Sequence, residues 1–309
     1  METKFKTLIE LVNTFSTEDI CLKHLRKMRW NEKIVCPHCG NDRKIYEFSN
    51  GIYFKCADCR KKFTAKVGSI FEDSKIPLQK WFMAIYLITN HSKGISSLQL
   101  SKDIGITQKT AWFVLHRLRY AIQTMSFNKP LKNIVEIDET YIGGKEKFKH
   151  ADKRIENSQG RSTKSKTPVL GMLERGGKVK AIKVNNVKSN TIQNKVTKYV
   201  SAGSIVMTDE YRSYNGLNRI YDHRVINHSA NEFVNGINHI NTIEGFWSLF
   251  KRSLVGIYHF VTEKHLHKYL EMSCYRYNNR NCNQEEKIDM LLTNINGRLT
   301  YKSLIGKIA

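Results

Sequence analysis

Two short cysteine pairs, Cys36-Pro-His-Cys39 and Cys56-Ala-Asp-Cys59, separated by 16 residues, restrict this 309-residue chain more than any other feature. Each pair makes a turn that aims two sulfurs at one point, and two such turns at this spacing supply the four thiolates of a tetrahedral zinc site. The run "KIYEFSNGIYFKC" reads as a β-hairpin turning at Asn50-Gly51. Residues 31–70 are therefore expected to form a zinc ribbon around one structural Zn²⁺ held by Cys36, Cys39, Cys56 and Cys59. Two disulfides, or one redox pair, are the other readings of such cysteines. The N-terminal "METKFKTLIELVNTF" lacks a signal-peptide pattern, which argues against an oxidising compartment. Cys21, Cys274 and Cys282 are left over and read as buried free thiols.

Charge narrows the partners. Lys and Arg number 51 against 28 Asp and Glu, a net +23, which favours polyanions and nucleic acid first among them. Basic ribosomal and membrane-surface proteins share that charge, ordinarily without a metal-binding set of carboxylates. A hydrophobic content of 40%, with 14 Phe and 14 Tyr, excludes a disordered basic tail. No run of eighteen apolar residues exists, so no membrane span is expected and a cytoplasmic, nucleoid-associated protein is.

Periodicity sets the organisation. Residues 1–30 read as a helical segment, with Leu8, Leu11, Val12 and Phe15, then Cys21, Leu22 and Leu25, on one side. Residues 75–127 read as helical. "LQKWFMAIYLITN" is apolar nearly all round, and "ISSLQLSKDIGITQKTAWFVLHRLRYAI" has helix-turn-helix form, the first helix ending near Gly105 and Thr107 capping the second. Ala111, Val114, Leu115 and Leu118 are expected to pack inward, leaving Gln108, Lys109, His116, Arg117 and Arg119 free to meet DNA. An ordinary helical hairpin with a solvated basic face is the alternative.

"NKPLKN" reads as a linker into the largest domain, 131–280. There "NIVEIDETYIGG" is a strand, the Lys-rich 145–166 a loop that either is merely solvated or touches phosphate, and "TPVLGMLERGGKVKAIKV" a hairpin turning at Gly176-Gly177. "SNTIQNKVTKYV" is a helix capped by Ser189 or Asn190, "SIVMTDEYRSY" a strand, "HRVINH" another, and 238–255 a long helix. This order gives a mixed α/β sheet flanked by helices, which fits a ribonuclease-H-like fold. Loop or surface roles are the ordinary reading of His223, His228 and His239. Beyond "HLHKYLEMSCYRYNNR", where Arg276 and Arg280 are further candidates for DNA, the tail 281–309 shows no pattern.

Three carboxylates stand out on this frame: Asp138 in "IVEIDETYIGG", Asp209 in "IVMTDEYRSY" and Glu244 in "NTIEGFWSLFKR". A lone acid is ordinarily a solvated one. Acids that end apolar strands are different, because burial without a cation or partner is costly. Hard divalent cations prefer anionic oxygens, and two of them roughly 4 Å apart can serve both the attacking and the leaving oxygen at phosphorus. Asp138 would bridge two Mg²⁺ or Mn²⁺ ions, with Asp209 and Glu244 each completing one sphere. Ile240, Ile243, Trp247, Phe250 and Leu254 form the core stripe of the last helix, so Glu244 lies at its edge. Lys251, two helical turns beyond Glu244, and its neighbour Arg252 would hold a DNA phosphate. Glu139 and Glu210 follow the two aspartates directly, and alternation alone leaves open which of each pair faces the metals.

These residues carry a resemblance. "FTAKVGSIFEDSKIPLQKWFMAIYLI", "EIDETYIGGKEKFKH", "MTDEYRSY" and "HINTIEGFWSLFKRSLVGIYHFVTEKHLHKYLEM", behind the cysteine pairs, resemble the DDE transposases of bacterial insertion sequences in the zinc-ribbon, ISXO-like group, over roughly residues 15–280. The resemblance implies an integrase-type ribonuclease-H-like catalytic domain, with Asp138, Asp209 and Glu244 as the triad and Lys251 as the associated base. Some members carry Asn at the third acid; this chain keeps Glu. It further implies recognition of terminal inverted repeats by the ribbon and helix-turn-helix, release of a 3′-hydroxyl by hydrolysis, attack of that hydroxyl on target DNA, and a homodimer or larger assembly on paired ends. Tyr141, Tyr211 and Tyr214 are then structural or DNA-contacting rather than nucleophilic. A non-catalytic DNA-binding regulator and a structure-selective nuclease of the ribonuclease-H type are the competing readings.

Overall fold

A computed structural model describes residues 5–31, 33–123, 129–144, 150–155, 165–226 and 238–306. The chain divides into two compact units, residues 1–125 together with 281–309, and residues 126–280. Most of the Lys-rich stretch 145–166, and His228, lie outside the described residues.

In the first unit, Thr7 and Glu10 form a reciprocal capping box that starts helix α1, Leu8–Thr14. The Thr17 hydroxyl caps α2, Glu18–Trp30. A small antiparallel sheet follows: β1 Ile45–Glu47, β2 Phe54–Cys56 and β3 Lys62–Phe63, in that order. The Asn50 side-chain oxygen accepts from the amides of Ile52 and Tyr53, and Gly51 takes the positive φ that closes the turn (64°). Phe54, Cys56 and Phe63 point inward with Trp30 and Ile34.

Helix α3, Leu78–Asn90, is buried along most of its length, as its apolar sequence requires. Helices α4, Ser97–Ile104, and α5, Gln108–Gln123, are joined by a turn in which Gly105 adopts the left-handed conformation (φ 61°). The Thr107 hydroxyl then accepts from the Thr110 amide at the start of α5.

The C-terminal segment, patternless in sequence, is not a separate tail. It folds into α9, Gln284–Leu292, capped reciprocally by Asn283 and Glu286, and α10, Tyr301–Ile305. Ile288, Leu291, Leu292 and Ile295 are buried. Backbone bonds from Ile70 to Ile295 and from Gly297 to Gly68, and an Arg298 pair with Glu72, tie it into the first unit.

The second unit holds a five-stranded sheet ordered β6-β5-β4-β7-β8. Its strands are β4 Ile134–Ile142, β5 Thr167–Glu174, β6 Val179–Lys183, β7 Ile205–Asp209 and β8 Asp222–Ile226. The first three pair antiparallel, and β7 and β8 continue the sheet in parallel. The β5–β6 hairpin turns at Gly176-Gly177 as expected. Helix α6, Ser189–Tyr199, crosses from β6 to β7, as a parallel connection requires. Its N-cap is Lys188, without a side-chain bond, rather than Ser189 or Asn190; Asn186 instead accepts from the Lys188 amide and the Thr191 hydroxyl.

One face of the sheet (Val135, Ile137, Leu170, Met172 and Val206) packs on α6 through Ile192 and Val196. The other (Val169, Leu173, Ala181 and Met207) packs on α7, Asn241–Ser253, and α8, Glu263–Asn278. A mixed sheet of this order with helices on both faces is the ribonuclease-H-like architecture that the order of elements implied.

Candidate active site

The period of two along β4 decides what each acid can do. Val135 and Ile137 are in the α6-side core, while Ile142 is in the α7-side core, so Glu136, Asp138 and Thr140 face α7. In β7, Val206 faces α6 and Met207 faces α7, which puts Asp209 on the α7 side as well. Glu136 is in register with Met207 across the parallel pair, so Asp138 and Asp209, each two residues further, lie level on adjacent strands. Glu244 comes from the first turn of α7, directly after the buried Ile243.

The electrostatics agree with this convergence. The Asp138 carboxyl is raised from 3.8 to about 7, chiefly by burial and then by the negative charges of Glu139, Asp209 and Glu244. Neither Asp138 nor Glu244 forms an ion pair among the described residues. This donor set fits hard divalent cations, which prefer anionic oxygens and would relieve the repulsion among these acids. The three carboxylates are not drawn as tightly as the cysteines: among the described residues only the four thiols have ligand atoms all within 4.8 Å of one another.

The pairs left open in the sequence separate by environment. Glu139 faces away from Asp138 and accepts a 2.6 Å bond from the buried Tyr214 hydroxyl. Asp209 is buried and accepts from the Tyr211 amide, while Glu210 is exposed. Tyr214 is therefore a core residue holding Glu139. Lys251 and Arg252 are exposed in the last turn of α7.

Sequence reasoning missed two residues that build this arrangement. Glu136 is fully buried, and its carboxylate accepts from Arg175 Nε (2.5 Å), the Thr242 hydroxyl (2.9 Å) and the Ile243 amide (2.9 Å). It thus caps α7 from the sheet, at a helix whose own Ile240 N-cap offers no side-chain acceptor. Gly171 pairs directly with Asp138, and a Cβ there would lie 2.4 Å from Trp247 and 2.9 Å from Ile243. The absence of a side chain lets α7 lie close over the acids. Gly171→Ala should therefore cost about 1–3 kcal/mol in chemical denaturation and reduce activity by displacing α7.

The expected DNA-facing residues of α5 need correction. Gln108 and Lys109, at its N-terminus, are exposed, although Gln108 donates to the Ser97 hydroxyl. His116, Arg117 and Arg119 are not free to meet DNA: they are 1%, 7% and 2% exposed. Arg117 donates to the backbone oxygens of Ile70 and Glu72 and lies over the Phe113 ring, while His116 packs on Trp112. Tyr301 of α10 packs on Trp112 and Phe113, so α5 is covered beyond its single apolar stripe.

The cysteines meet as their spacing requires. Cys36 and Cys59 sulfurs lie 3.6 Å apart, as do those of Cys39 and Cys56. A zinc tetrahedron with bonds of about 2.3 Å has sulfur–sulfur edges of about 3.8 Å, so the set fits Zn²⁺. The ribbon core has only Phe54, Phe63 and two cysteines buried, with Trp30, Ile34, Ile45, Cys59 and Val67 partly so, and a bound zinc would supply the further stability so small a core needs. Chelation should release one zinc per chain and change the fluorescence of Trp30, which packs edge-on against Phe54 and Phe63. Amide exchange in residues 126–280 should stay unchanged.

Comparisons with known proteins bear on both regions. The transposase zinc-ribbon domain matches residues 16–62, and the ISXO2-like transposase domain matches 130–278. An uncharacterized protein in transposable element ISH50 of Halobacterium salinarum is 29% identical over 255 residues, covering 79% of this chain and 85% of its own. An uncharacterized transposase-like protein of Haemophilus influenzae is 37% identical over 103 residues, 33% of this chain and 82% of its own. Among solved structures, the Mos1 strand transfer complex is 12% identical, covering 71% of this chain and 79% of that one, with a TM-score of 0.28. The Mos1 mariner paired end complex with Mn is 14% identical, covers 94% and 96%, and has the same TM-score, 0.28. Both family descriptions fall where the ribbon and the carboxylate-bearing sheet lie, and the Haemophilus relative is matched over most of its length, so this chain belongs to the ISXO2-like transposases.

Proposed function

We propose that the chain is a DNA transposase that cleaves and joins strands by a DDE mechanism at Asp138, Asp209 and Glu244. The observation that carries this reading is the convergence of the three acids, from two adjacent strands and the overlying helix, around a carboxyl that is raised by burial first and then by its neighbours' charge. Two Mg²⁺ or Mn²⁺ ions held there would activate the attacking oxygen and stabilise the leaving one in each displacement at phosphorus. Asp138, Asp209 and Glu244 would together hold these ions through their carboxylate oxygens. Lys251, on the Glu244 face of α7 and exposed, holds the phosphate beside the acids; Arg252 adds a second cation. Recognition of the inverted repeats falls to the N-terminal unit. Helix-turn-helix proteins read bases with the first residues of the second helix, which here are Gln108 and Lys109. Two element ends have to be joined at one target, so the acting species is a dimer or larger.

The test is incubation of purified protein with a labelled duplex bearing the element's terminal repeat, supercoiled target and Mg²⁺. Joined products are expected. Binding without nicking, in an assay that supplies paired ends, would instead assign a regulator, and hydrolysis of branched DNA without joining a nuclease. In the same assay Lys251→Ala should lower joining about 10- to 100-fold while leaving repeat binding within about twofold, since one phosphate contact is lost among many.

A further inference from the structure

The ribbon sheet has a second face that zinc binding does not use. Inward it presents Phe54, Cys56 and Phe63. Alternation sends the intervening side chains outward, and the register lines up Tyr46, Lys55 and Lys62 as one row across all three strands. Lys44, Phe48 and Tyr53 extend the same face. Tyr46 and Tyr53 are 50% and 48% exposed, and the three lysines are exposed as well. Among the described residues the strands put no carboxylate on this face: their one acid, Glu47, turns to the other side and pairs with Arg26 of α2.

The rings and cations are arranged together. Lys44 Nζ lies 5.5 Å from the Tyr46 ring centroid, and Lys62 Nζ lies 5.1 Å from that of Phe48. The Phe48 and Tyr53 rings meet edge to face. Exposed aromatics on a strand row ordinarily mark a surface that something covers, and three lysines without an acid select a polyanion. Duplex readout draws on Arg and Lys for guanine edges and on Asn and Gln for adenine edges; this face has only the lysines, and two of them, Lys44 and Lys62, are held over rings. Rings flanked by ammonium groups suit unpaired nucleotides, whose bases expose their faces for stacking while the lysines track phosphates.

We propose that the outward face of the zinc-ribbon sheet is a stacking platform for single-stranded DNA, with Tyr46 and Tyr53 under the bases and Lys55 and Lys62 on the phosphates. The choice of DNA as the occupant rests on the transposase reading, under which the chain works on nicked element ends, where the base pairs beside a strand break open most readily.

The test uses the full-length, zinc-loaded protein without Mg²⁺ and measures fluorescence anisotropy with a labelled oligothymidylate of about 12 nucleotides. A matched oligonucleotide with abasic sites keeps the phosphates and removes the bases. The double variant Tyr46→Leu/Tyr53→Leu should weaken oligothymidylate binding at least about tenfold and leave terminal-repeat duplex binding within about twofold. The abasic strand should reproduce that loss with the unaltered protein. Zinc content of one per chain verifies that the variant ribbon is folded; Lys55→Ala should add a salt-sensitive loss. Undiminished single-strand binding by the double variant, equal affinity for the abasic strand, or an equal loss on duplex would each overturn the proposal. No strand joining enters this measurement, so failure of the transposase reading would show in the joining assay and not here.

Discussion

Asp138→Asn is expected to abolish strand cleavage and joining, by at least about a thousandfold, while raising the stability of the metal-free protein at neutral pH. The two effects share one cause. The Asp138 carboxyl is pushed from 3.8 to about 7 by burial and by Glu139, Asp209 and Glu244, so the folded protein prefers it protonated. Between those two values the folded state holds a proton that the unfolded state has released. Stability therefore falls as pH rises from about 4 to about 7, and the penalty is complete above about 7. Asparagine keeps the shape and removes the charge. At about 1.4 kcal/mol per pH unit the gain at pH 8 is roughly 2–4 kcal/mol, shrinking towards zero at pH 4.

Thermal unfolding with and without Mg²⁺ checks this. Unaltered protein should gain stability on adding Mg²⁺, since binding to the folded state alone is stabilising, and Asp138→Asn should gain little. Terminal-repeat binding without metal should survive the change. If cleavage in Mg²⁺ persists in Asp138→Asn, or if the variant is no more stable than the parent at pH 8 without metal, Asp138 is not the centre of a cation site.

Much of this was legible in the chain because it depends on local spacing. The Cys-x-x-Cys turns, the Asn50-Gly51 and Gly176-Gly177 hairpins and the apolar strands ending in Asp138 and Asp209 are each written within about ten residues. The α7 stripe likewise placed Ile243, Trp247 and Phe250 in the core and left Glu244 at its edge. What was not legible depends on partners far along the chain. Arg117 reads as a solvated cation until the backbone oxygens of Ile70 and Glu72, 47 and 45 residues earlier, accept from it, and the apolar positions of 281–306, which bring Tyr301 onto Trp112 and Phe113, are too few to show a period. Gly171 reads as one more strand glycine until Asp138 is its cross-strand neighbour and Trp247 lies over it. Choosing Asp138 over Glu139 likewise needed Tyr214, 75 residues further on. Glu136 shares a strand face with Asp138, and only its occupied oxygens distinguish it from a metal ligand.

That distinction makes Glu136 the second position of large effect. Both of its oxygens are engaged, Oε1 by Arg175 and Thr242 and Oε2 by the Ile243 amide. Arg175 also donates to the His239 backbone oxygen, so one buried ion pair holds the chain entering α7 and the first turn of the helix together. Glu136→Ala removes the carboxylate opposite Arg175 and uncaps α7, and truncating one partner of a buried pair costs about 3–5 kcal/mol. Glu136→Gln is the sharper probe. Its amide oxygen can still accept from Ile243, but it loses the charge opposite Arg175 and at the positive end of the helix. Glu244 lies one residue beyond Ile243, so loosening this turn moves a carboxylate proposed to hold a cation. Glu136→Gln should therefore raise the Mg²⁺ concentration for half-maximal joining several-fold, with metal-free duplex binding unchanged and unfolding shifted down by about 1–2 kcal/mol. A direct metal ligand would behave differently: its loss would remove activity at every Mg²⁺ concentration and, as at Asp138, stabilise the metal-free fold. Denaturation and a Mg²⁺ titration of the same two variants separate the cases, and a Glu136→Ala protein within 1 kcal/mol of the parent would rule out the clamp.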